Sequence, residues 1–360
     1  MKHFQTQGKI KKSVFEKGFP IMTTLKDIAT KTGFSITTIS RALNGYSDVN
    51  ETTRELITGA AKELNYSPNI LARSLVMKQS KTIGFIISDL KRESAKDSFM
   101  FDSLCGISDA LSSTDYEFVL LSASTSGQHN KTYQQMCRER QLDGVIIQGI
   151  PTRDPYLQEI VAGDIPCVLI DIPASGDKVG YVTTNHKESA INGVKYLCRM
   201  NHQHIAYVNG TPDVYVSKER RAGYELALSE AGIKINENYI VNGDFSEQLA
   251  KQAIIPLLLN HPEITGVFCA SDVMALGVLQ GARKLGLKVP EQLSIIGFDN
   301  ILLSEYVTPP LTTIGQSPYG LGLAAVKMLI HFIEGKKTPT FIEKKNELII
   351  RDSVALCKKP

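Results

Sequence analysis

A chain of 360 residues, 42% hydrophobic and 21% charged, is too long for one small core and has the make-up of a folded protein of two or three units. No apolar run is long enough to span a bilayer, and residues 1–21 lack the continuous apolar stretch of a secretory signal, so a cytoplasmic location is expected. The net charge of +3 conceals an asymmetry: residues 1–80 hold twelve Lys and Arg against six Asp and Glu, a net of +6, and the other 280 residues carry −3.

A basic end of this kind suits a salt-dependent attraction to phosphate. The six cysteines, Cys105, Cys137, Cys167, Cys198, Cys269 and Cys357, form no C-x-x-C pair and mostly sit in or beside apolar runs. They read as free thiols in a reducing compartment, with neither disulfide nor metal expected.

Residues 1–22 carry Lys2, Lys9, Lys11, Lys12 and Lys17 with little periodicity and read as a disordered basic extension. Such a segment is either an arm that touches phosphate or the remnant of an upstream start. A few lysines on a flexible tail favour the second.

The first periodic stretch runs from Thr24 to Gly45. Apolar Leu25, Ile28 and Ala29 recur at helical spacing, Thr32-Gly33-Phe34-Ser35 breaks the period, and Ile39, Ala42 and Leu43 resume it. This is helix, tight turn, helix. Ser35 is placed to cap the second helix and Gly33 to take the positive φ of the turn. With Ile39, Ala42 and Leu43 facing inward, Thr37, Arg41 and Asn44 share the opposite face, which could read DNA or simply be solvated. Asn50 opens a third amphipathic helix carrying Leu56, Ile57, Ala60, Ala61 and Leu64, followed by Asn65-Tyr66-Ser67-Pro68-Asn69-Ile70-Leu71-Ala72-Arg73-Ser74-Leu75.

Three helices followed by this sequence resemble the lactose-repressor (LacI/GalR) family of bacterial transcription regulators, and the resemblance extends from about Thr24 to the C-terminus. It implies a helix-turn-helix DNA-binding domain at 23–66 and a hinge helix with linker at 67–79. The remaining 80–360 is then an effector-binding and dimerisation domain. In the family the start of the second helix reads base edges, here Ile36, Thr37 and Arg41. Arginine suits guanine O6 and N7, threonine can donate or accept, and isoleucine offers apolar contact to a thymine methyl. Thr38, Asn44, Asn50 and Thr53 match phosphate positioners.

Ser67 and Pro68 make a good helix start, but a helix from Pro68 to about Val76 is marginal alone, so it is expected to fold only with a partner and DNA. By resemblance Leu75 is the apolar wedge that unstacks a central base step, with Arg73 near phosphate.

From Lys81 onward, short apolar runs alternate with helical patterns. Ile83–Ile87, Phe118–Leu121, Val145–Ile147 and Val168–Ile170 form one series; Ile205–Val208, Val267–Cys269 and Ser294–Phe298 form a second. Such runs suit parallel strands buried on both faces, and two doubly wound α/β lobes are expected. The resemblance implies a fold like that of periplasmic binding proteins, with the ligand between the lobes. Lobe one takes 80–184 and 315–345, and lobe two takes 185–314 and 346–360. The returning chain supplies a helix from about Tyr319 to Glu334 to lobe one and a strand near Leu348–Arg351 to lobe two.

The same resemblance gives the effector candidates. Arg220 stands three residues before Gly223, with Arg221 its one-off competitor, and Asp299 follows a strand. Ser271-Asp272 stands where Asn-Asp is frequent, and Phe245 matches a stacking aromatic in a chain without tryptophan. Asp89, Phe99 and Asp171 are the lobe-one candidates. An arginine, aspartates and a ring suit a polyhydroxylated neutral ligand, a sugar or sugar phosphate more than a purine.

Gly320-Leu321-Gly322-Leu323-Ala324-Ala325 fits G-x-G-x-x-A but follows Ser317-Pro318 rather than a strand, and reads as a helix start. His202 and His204 lack a third ligand. With no P-loop and no nucleophile elbow, neither enzyme activity nor a cofactor is expected. No leucine heptad follows Arg351, so a dimer is expected rather than a zipper-built tetramer. The leading reading is a repressor of a carbohydrate-utilisation operon, bound to a pseudo-palindromic DNA operator in the nucleoid and released by a sugar. A regulator controlled by a protein or purine corepressor, or a sugar-binding protein with a basic module, are the alternatives.

Overall fold

The computed structural model describes residues 23–67, 79–88, 98–123 and 131–358. The chain divides into two compact units, Met1–Lys78 and Gln79–Pro360. The basic extension and the hinge helix fall outside the described residues.

The described residues of the first unit form three helices: α1 (Leu25–Thr32), α2 (Ile36–Leu43) and α3 (Glu51–Glu63). Their ends are set by the caps read from the sequence. Gly33 closes α1 at φ +75°, where a side chain would be strained; Ser35 caps α2 by accepting the Thr38 N–H, and Asn50 caps α3 by accepting the Thr53 N–H. Ile28, Ile39, Ala42, Val49, Ile57, Ala60 and Ala61 are the core. Leu56, expected inside, is 58% exposed. The buried stripe of α3 runs Ile57, Ala60, Ala61, Leu64, and Leu56 lies one residue, about 100°, off it.

In the second unit the described elements run β1 (Thr82–Ser88), α4 (Phe99–Leu111), β2 (Glu117–Ala123), α5 (Tyr133–Glu139), β3 (Gly144–Gln148), α6 (Pro155–Val161), β4 (Cys167–Ile170) and β5 (Val179–Thr184). Next come α7 (His186–Arg199), β6 (Ile205–Asn209), α8 (Tyr215–Glu230), a 3-10 turn (Glu237–Tyr239), β7 (Ile240–Asn242), α9 (Glu247–Asn260), β8 (Gly266–Cys269) and α10 (Asp272–Lys284). The chain then continues through β9 (Ser294–Asp299), α11 (Leu303–Tyr306), β10 (Thr312–Gly315), α12 (Pro318–Ile333), β11 (Phe341–Lys344) and β12 (Glu347–Ile349).

Two six-stranded sheets result, ordered β11-β5-β4-β3-β1-β2 and β12-β10-β9-β8-β6-β7. Every pairing is parallel except β10 with β12. Successive residues of one strand feed opposite cores: Ile146 packs with Phe85, Ile107 and Leu329, whereas Val145 and Ile147 pack with Tyr133, Cys137 and Ile160. That double burial is why the strands read as unbroken apolar runs. The returning helix α12 completes the first of these cores, and the strand expected near Leu348–Arg351 is β12, which joins the second sheet at β10.

Helices α4 and α12 cross closely. A methyl at Gly106 would overlap the Tyr319 carbonyl, and one at Gly322 the Ser103 carbonyl. The G-x-G-x-x-A run is therefore a helix whose Gly322 serves packing, started by Ser317, which accepts the Gly320 N–H. His202 is buried between the Thr265 hydroxyl and the Ala355 carbonyl, and all six cysteines are free thiols.

Candidate functional site

In the first unit α2 turns Ile36, Thr37 and Arg41 outward; Ile36, an isoleucine at the helix start, is 49% exposed. The Arg41 guanidinium pairs with the Asp48 carboxylate, Nη2 to Oδ2 at 2.6 Å and Nε to Oδ1 at 3.2 Å, and lies 5.2 Å from the centre of the Tyr46 ring. The polar residues around it are partly engaged within the unit. The Thr38 and Ser35 hydroxyls share a hydrogen bond at 2.8 Å, and the Asn44 amide donates to the Ser40 carbonyl at 2.8 Å, fastening the end of α2. The Asn50 carbonyl oxygen accepts the Thr53 N–H at 2.8 Å. Arg73 and Leu75 lie outside the described residues.

In the second unit a cavity of about 320 Å³ opens beyond the carboxyl ends of the strands, where open α/β sheets bind ligands. Gln148, Gly149 and Ile150 come from the end of β3, Asp171 from β4, Thr211 from β6 and Asp299 from β9; Tyr215 and Arg220 come from α8. Of the sequence candidates, Phe99, Asp171, Arg220, Phe245 and Asp299 line this cavity. Asp89 lies outside the described residues. Ser271 is not among the lining residues; its hydroxyl accepts the Met274 N–H and caps α10. Arg221, the neighbour of Arg220, points to the surface and pairs with Glu225 and Glu237.

Three lining residues other than glycine hold left-handed backbone: Asp171 at φ 57°, Phe245 at φ 55° and Asp299 at φ 113°. Aspartate tolerates this region, but phenylalanine does so rarely, and such strain concentrates at binding sites. The Phe245 ring lies over Gly210, which leaves it room.

The charged groups are knitted together across the points where the chain passes between lobes. Arg220, 3% exposed, donates through Nη1 to the Ala270 carbonyl, lies 3.6 Å from Asp299 Oδ1, and stacks on Phe298 with Cζ 3.7 Å from the ring centre. Its Nη2 lies 3.4 Å from His186 Nδ1. His186, at the β5-to-α7 crossover, meets Asp171 Oδ1 through Nε2 at 2.9 Å, and the Thr183 hydroxyl donates to the same oxygen at 2.7 Å. At the β10-to-α12 crossover Gln316 donates to Asp299 Oδ1 at 2.6 Å and accepts from the Thr184 hydroxyl at 2.9 Å.

Burial pushes the His186 pKa below 6.5, against the pull of Asp171. The neutral ring is therefore assigned with its proton on Nε2, facing the carboxylate, and its Nδ1 lone pair toward the guanidinium. Burial also acts on Asp171, raising its carboxyl, but the hydrogen bonds and charges of His186, Thr183 and Arg220 outweigh it and hold it below 3.8. Two cavity residues keep buried polar atoms without a partner among the described residues: Gln148 Oε1 and Arg220 Nε.

Beneath the cavity, Asp272 is wholly buried at the start of α10. It accepts the Thr313 hydroxyl at 2.6 Å and the Ile301 N–H at 2.9 Å, and so fixes the loop that follows Asp299. Burial pushes its carboxyl up to about 7.

Gln148, Thr211, Tyr215, His186 and Gln316 escaped the sequence reading. Gln148 and Thr211 share one legible signal, a polar residue at or just after the end of an apolar run. No group of three or more His, Cys, Asp or Glu among the described residues could hold a metal.

Two family patterns match the chain: "Bacterial regulatory proteins, lacI family" over residues 24–69 and "Periplasmic binding protein-like domain" over residues 194–354. The transcriptional repressor PurR of Vibrio campbellii is 32% identical over 336 residues, 92% of this chain and 99% of that protein. A Lac repressor dimer bound to operator and the anti-inducer ONPF superposes with a TM-score of 0.79 at 27% identity, covering 93% of this chain and 99% of that one. A complex of the regulator CelR with cellobiose gives 0.69 at 28% identity, covering 92% and 99%. A capped helix-turn-helix unit ahead of two parallel-sheet lobes, matched over nearly its whole length by such repressors, places this chain in the LacI family of DNA-binding bacterial regulators.

Proposed function

We propose that the protein is a repressor of a carbohydrate-utilisation operon. It binds a pseudo-palindromic operator as a homodimer in the cytoplasm and is released by a neutral, polyhydroxylated sugar in the cavity between its lobes. The observation that carries this reading is the cavity lining. Arg220 offers donors, Asp171 and Asp299 offer acceptors, and Phe99 and Phe245 offer ring faces, which together complement vicinal hydroxyls on a sugar ring. Gln148 Oε1, buried and without a partner among the described residues, asks for a donor such as a hydroxyl. A cavity of about 320 Å³ is at the small end of ligand sites and suits a mono- or disaccharide.

For the first unit, the support is the exposed Ile36, Thr37 and Arg41 on one helix face. The residues at 23–66 then serve as the DNA-binding domain, 67–79 as hinge and linker, and 80–360 as the effector and dimerisation domain. Two phenylalanine rings on one cavity favour a second reading, a planar purine acting as corepressor.

One experiment separates the two. Purified protein is selected against random duplexes at about 0.15 M salt, with and without a panel of sugars and purines. Enrichment of a pseudo-palindrome that one sugar abolishes is the expected result. A palindrome that appears only with a purine overturns the sugar reading, and no palindrome under any condition overturns the regulator itself.

A further inference from the structure

Arg41 is the strongest base-reading group in the first unit, and it is not left loose. Its partner Asp48 sits in the loop between α2 and α3, five residues that no cap or helix fixes. That loop is fastened from both sides. The Tyr46 N–H donates to the Arg41 carbonyl at 3.1 Å, and Arg54 of α3 donates through Nη2 to the carbonyls of Tyr46 at 2.9 Å and Val49 at 3.1 Å. Gly45, at φ +75°, makes the turn that brings the loop back over α2.

The loop thus delivers two groups to one guanidinium: the Asp48 carboxylate at its edge and the Tyr46 ring 5.2 Å from Cζ. Both partners of the ion pair are about half exposed, 47% and 50%, so the pair adds little to folding. Its effect is on orientation. Asp48 takes Nε and Nη2, one side of the fork. A guanidinium has five N–H donors, and occupying that side leaves the N–H groups at its far end, on Nη1 and Nη2, parallel and available. Those two are the donors that meet guanine O6 and N7.

We infer that Asp48 is a specificity-determining positioning residue: it orients Arg41 end-on, so that the arginine discriminates guanine at one position of each half-site. The inference rests on the reading of α2 as the DNA-reading helix. A carboxylate near DNA repels phosphate, so its presence costs general affinity, and what it returns is a single side-chain geometry before DNA arrives. An arginine free to swing would still attract phosphate but would choose less well between bases.

The test is a selection on random duplexes with the full chain as wild type, Asp48→Ala, Asp48→Glu and Arg41→Ala at about 0.15 M salt, reading the base preference at each position. Wild type is expected to prefer guanine at one half-site position that Arg41→Ala levels. Asp48→Ala should lower that preference about fivefold to tenfold, leave the other positions within about twofold, and bind random DNA no more weakly. Asp48→Glu, which keeps a carboxylate, should retain most of the preference.

Three results overturn the inference while leaving the regulator intact: an unchanged preference in Asp48→Ala, an equal loss at every position, or tighter binding with the same preference. The last would make Asp48 a competitor for Arg41 rather than its guide. A wild type that enriches no half-site overturns the regulator and the inference together.

Discussion

Replacing Gly297 by alanine probes how the Asp299 loop is held. Gly297 lies within β9 with ordinary backbone, so alanine there meets only a packing problem. Its methyl would overlap Asp272 Oδ1 and come within 2.9 Å of Leu311 Cδ2. The carboxylate cannot step aside freely, because the Thr313 hydroxyl at 2.6 Å and the Ile301 N–H at 2.9 Å hold it. A retreat of about 1 Å takes both bonds beyond useful length. Hydrogen bonds to a charged group are worth about 1.5–3 kcal/mol each, and both donors would stay buried, so the expected loss is about 3 kcal/mol or more.

Urea unfolding at pH 8 measures it. With a slope of about 3 kcal/mol per molar, the midpoint should fall by about 1 M. Effector affinity should fall as well, since Ile301 is two residues beyond Asp299. The same alanine placed beside Asp272→Ser should cost much less. A midpoint within about 0.2 M of wild type would refute the argument, and an equal cost in both backgrounds would move the clash to Leu311.

Gly210→Ala should act on binding alone. Its methyl meets the far end of the Phe245 ring, which can yield, so calorimetry should show effector affinity down about tenfold while the unfolding midpoint barely moves. His186 should make stability fall with acid. Its folded pKa is depressed below the unfolded 6.5, so its contribution is complete above pH 6.5 and is lost below it, at up to about 1.4 kcal/mol per pH unit. His202, also depressed by burial, adds the same sign. Asp272, raised to about 7 from 3.8, has the opposite sign, its share falling as pH rises from about 4 to 7. Comparing wild type with His186→Gln at pH 5.5 and 7.5 isolates the imidazole; a gap that does not change with pH contradicts its buried neutral state. Ser35→Ala removes the α2 cap and should cost the first unit about 1 kcal/mol, seen as faster amide exchange at Thr38 in the full chain. Unchanged exchange there would show that the cap is idle.

The helices of the first unit were legible because everything that makes them is local: the period of Ile39 and Ala42, the Ser35 and Asn50 caps, the glycine turn. Leu56 misled because one residue of offset decides whether a side chain of a short helix meets the core. In the second unit the buried central strands announced themselves and β12 was expected from the resemblance, but β5, β7, β10 and β11 were not read. Segments such as Val-Gly-Tyr-Val-Thr-Thr and Phe-Ile-Glu-Lys carry too many polar residues, and pairing with a neighbour makes them strands. At the cavity Arg220, Phe245 and Asp299 could be named from motif position. His186 could not, because its partner Asp171 is fifteen residues away and only the crossover brings them together. Ser271 shows what position alone leaves open: a serine before a helix can serve as a cap or as a ligand contact, and the structure adds the cap.

The return of the chain to lobe one has a consequence for how the protein is made. Phe85, Ile107 and Val168 share a core with Leu321, Ala325, Leu329 and Phe332 of α12. On the ribosome β1 to β5 therefore emerge with one face covered only in part, by α4, and the rest of that face stays open until residue 332 has cleared the exit tunnel. At about 5–20 residues per second, the interval after Thr184 is roughly 7–30 s. Lobe two meanwhile lacks β12, an edge strand, and the segment after it, which adds Val354 to its core, so most of that core is positioned to close while lobe one waits. Nascent chains stalled before α12 should bind holdase chaperones through the open face of lobe one, and release of that hold should coincide with translation of Pro318–Ile333.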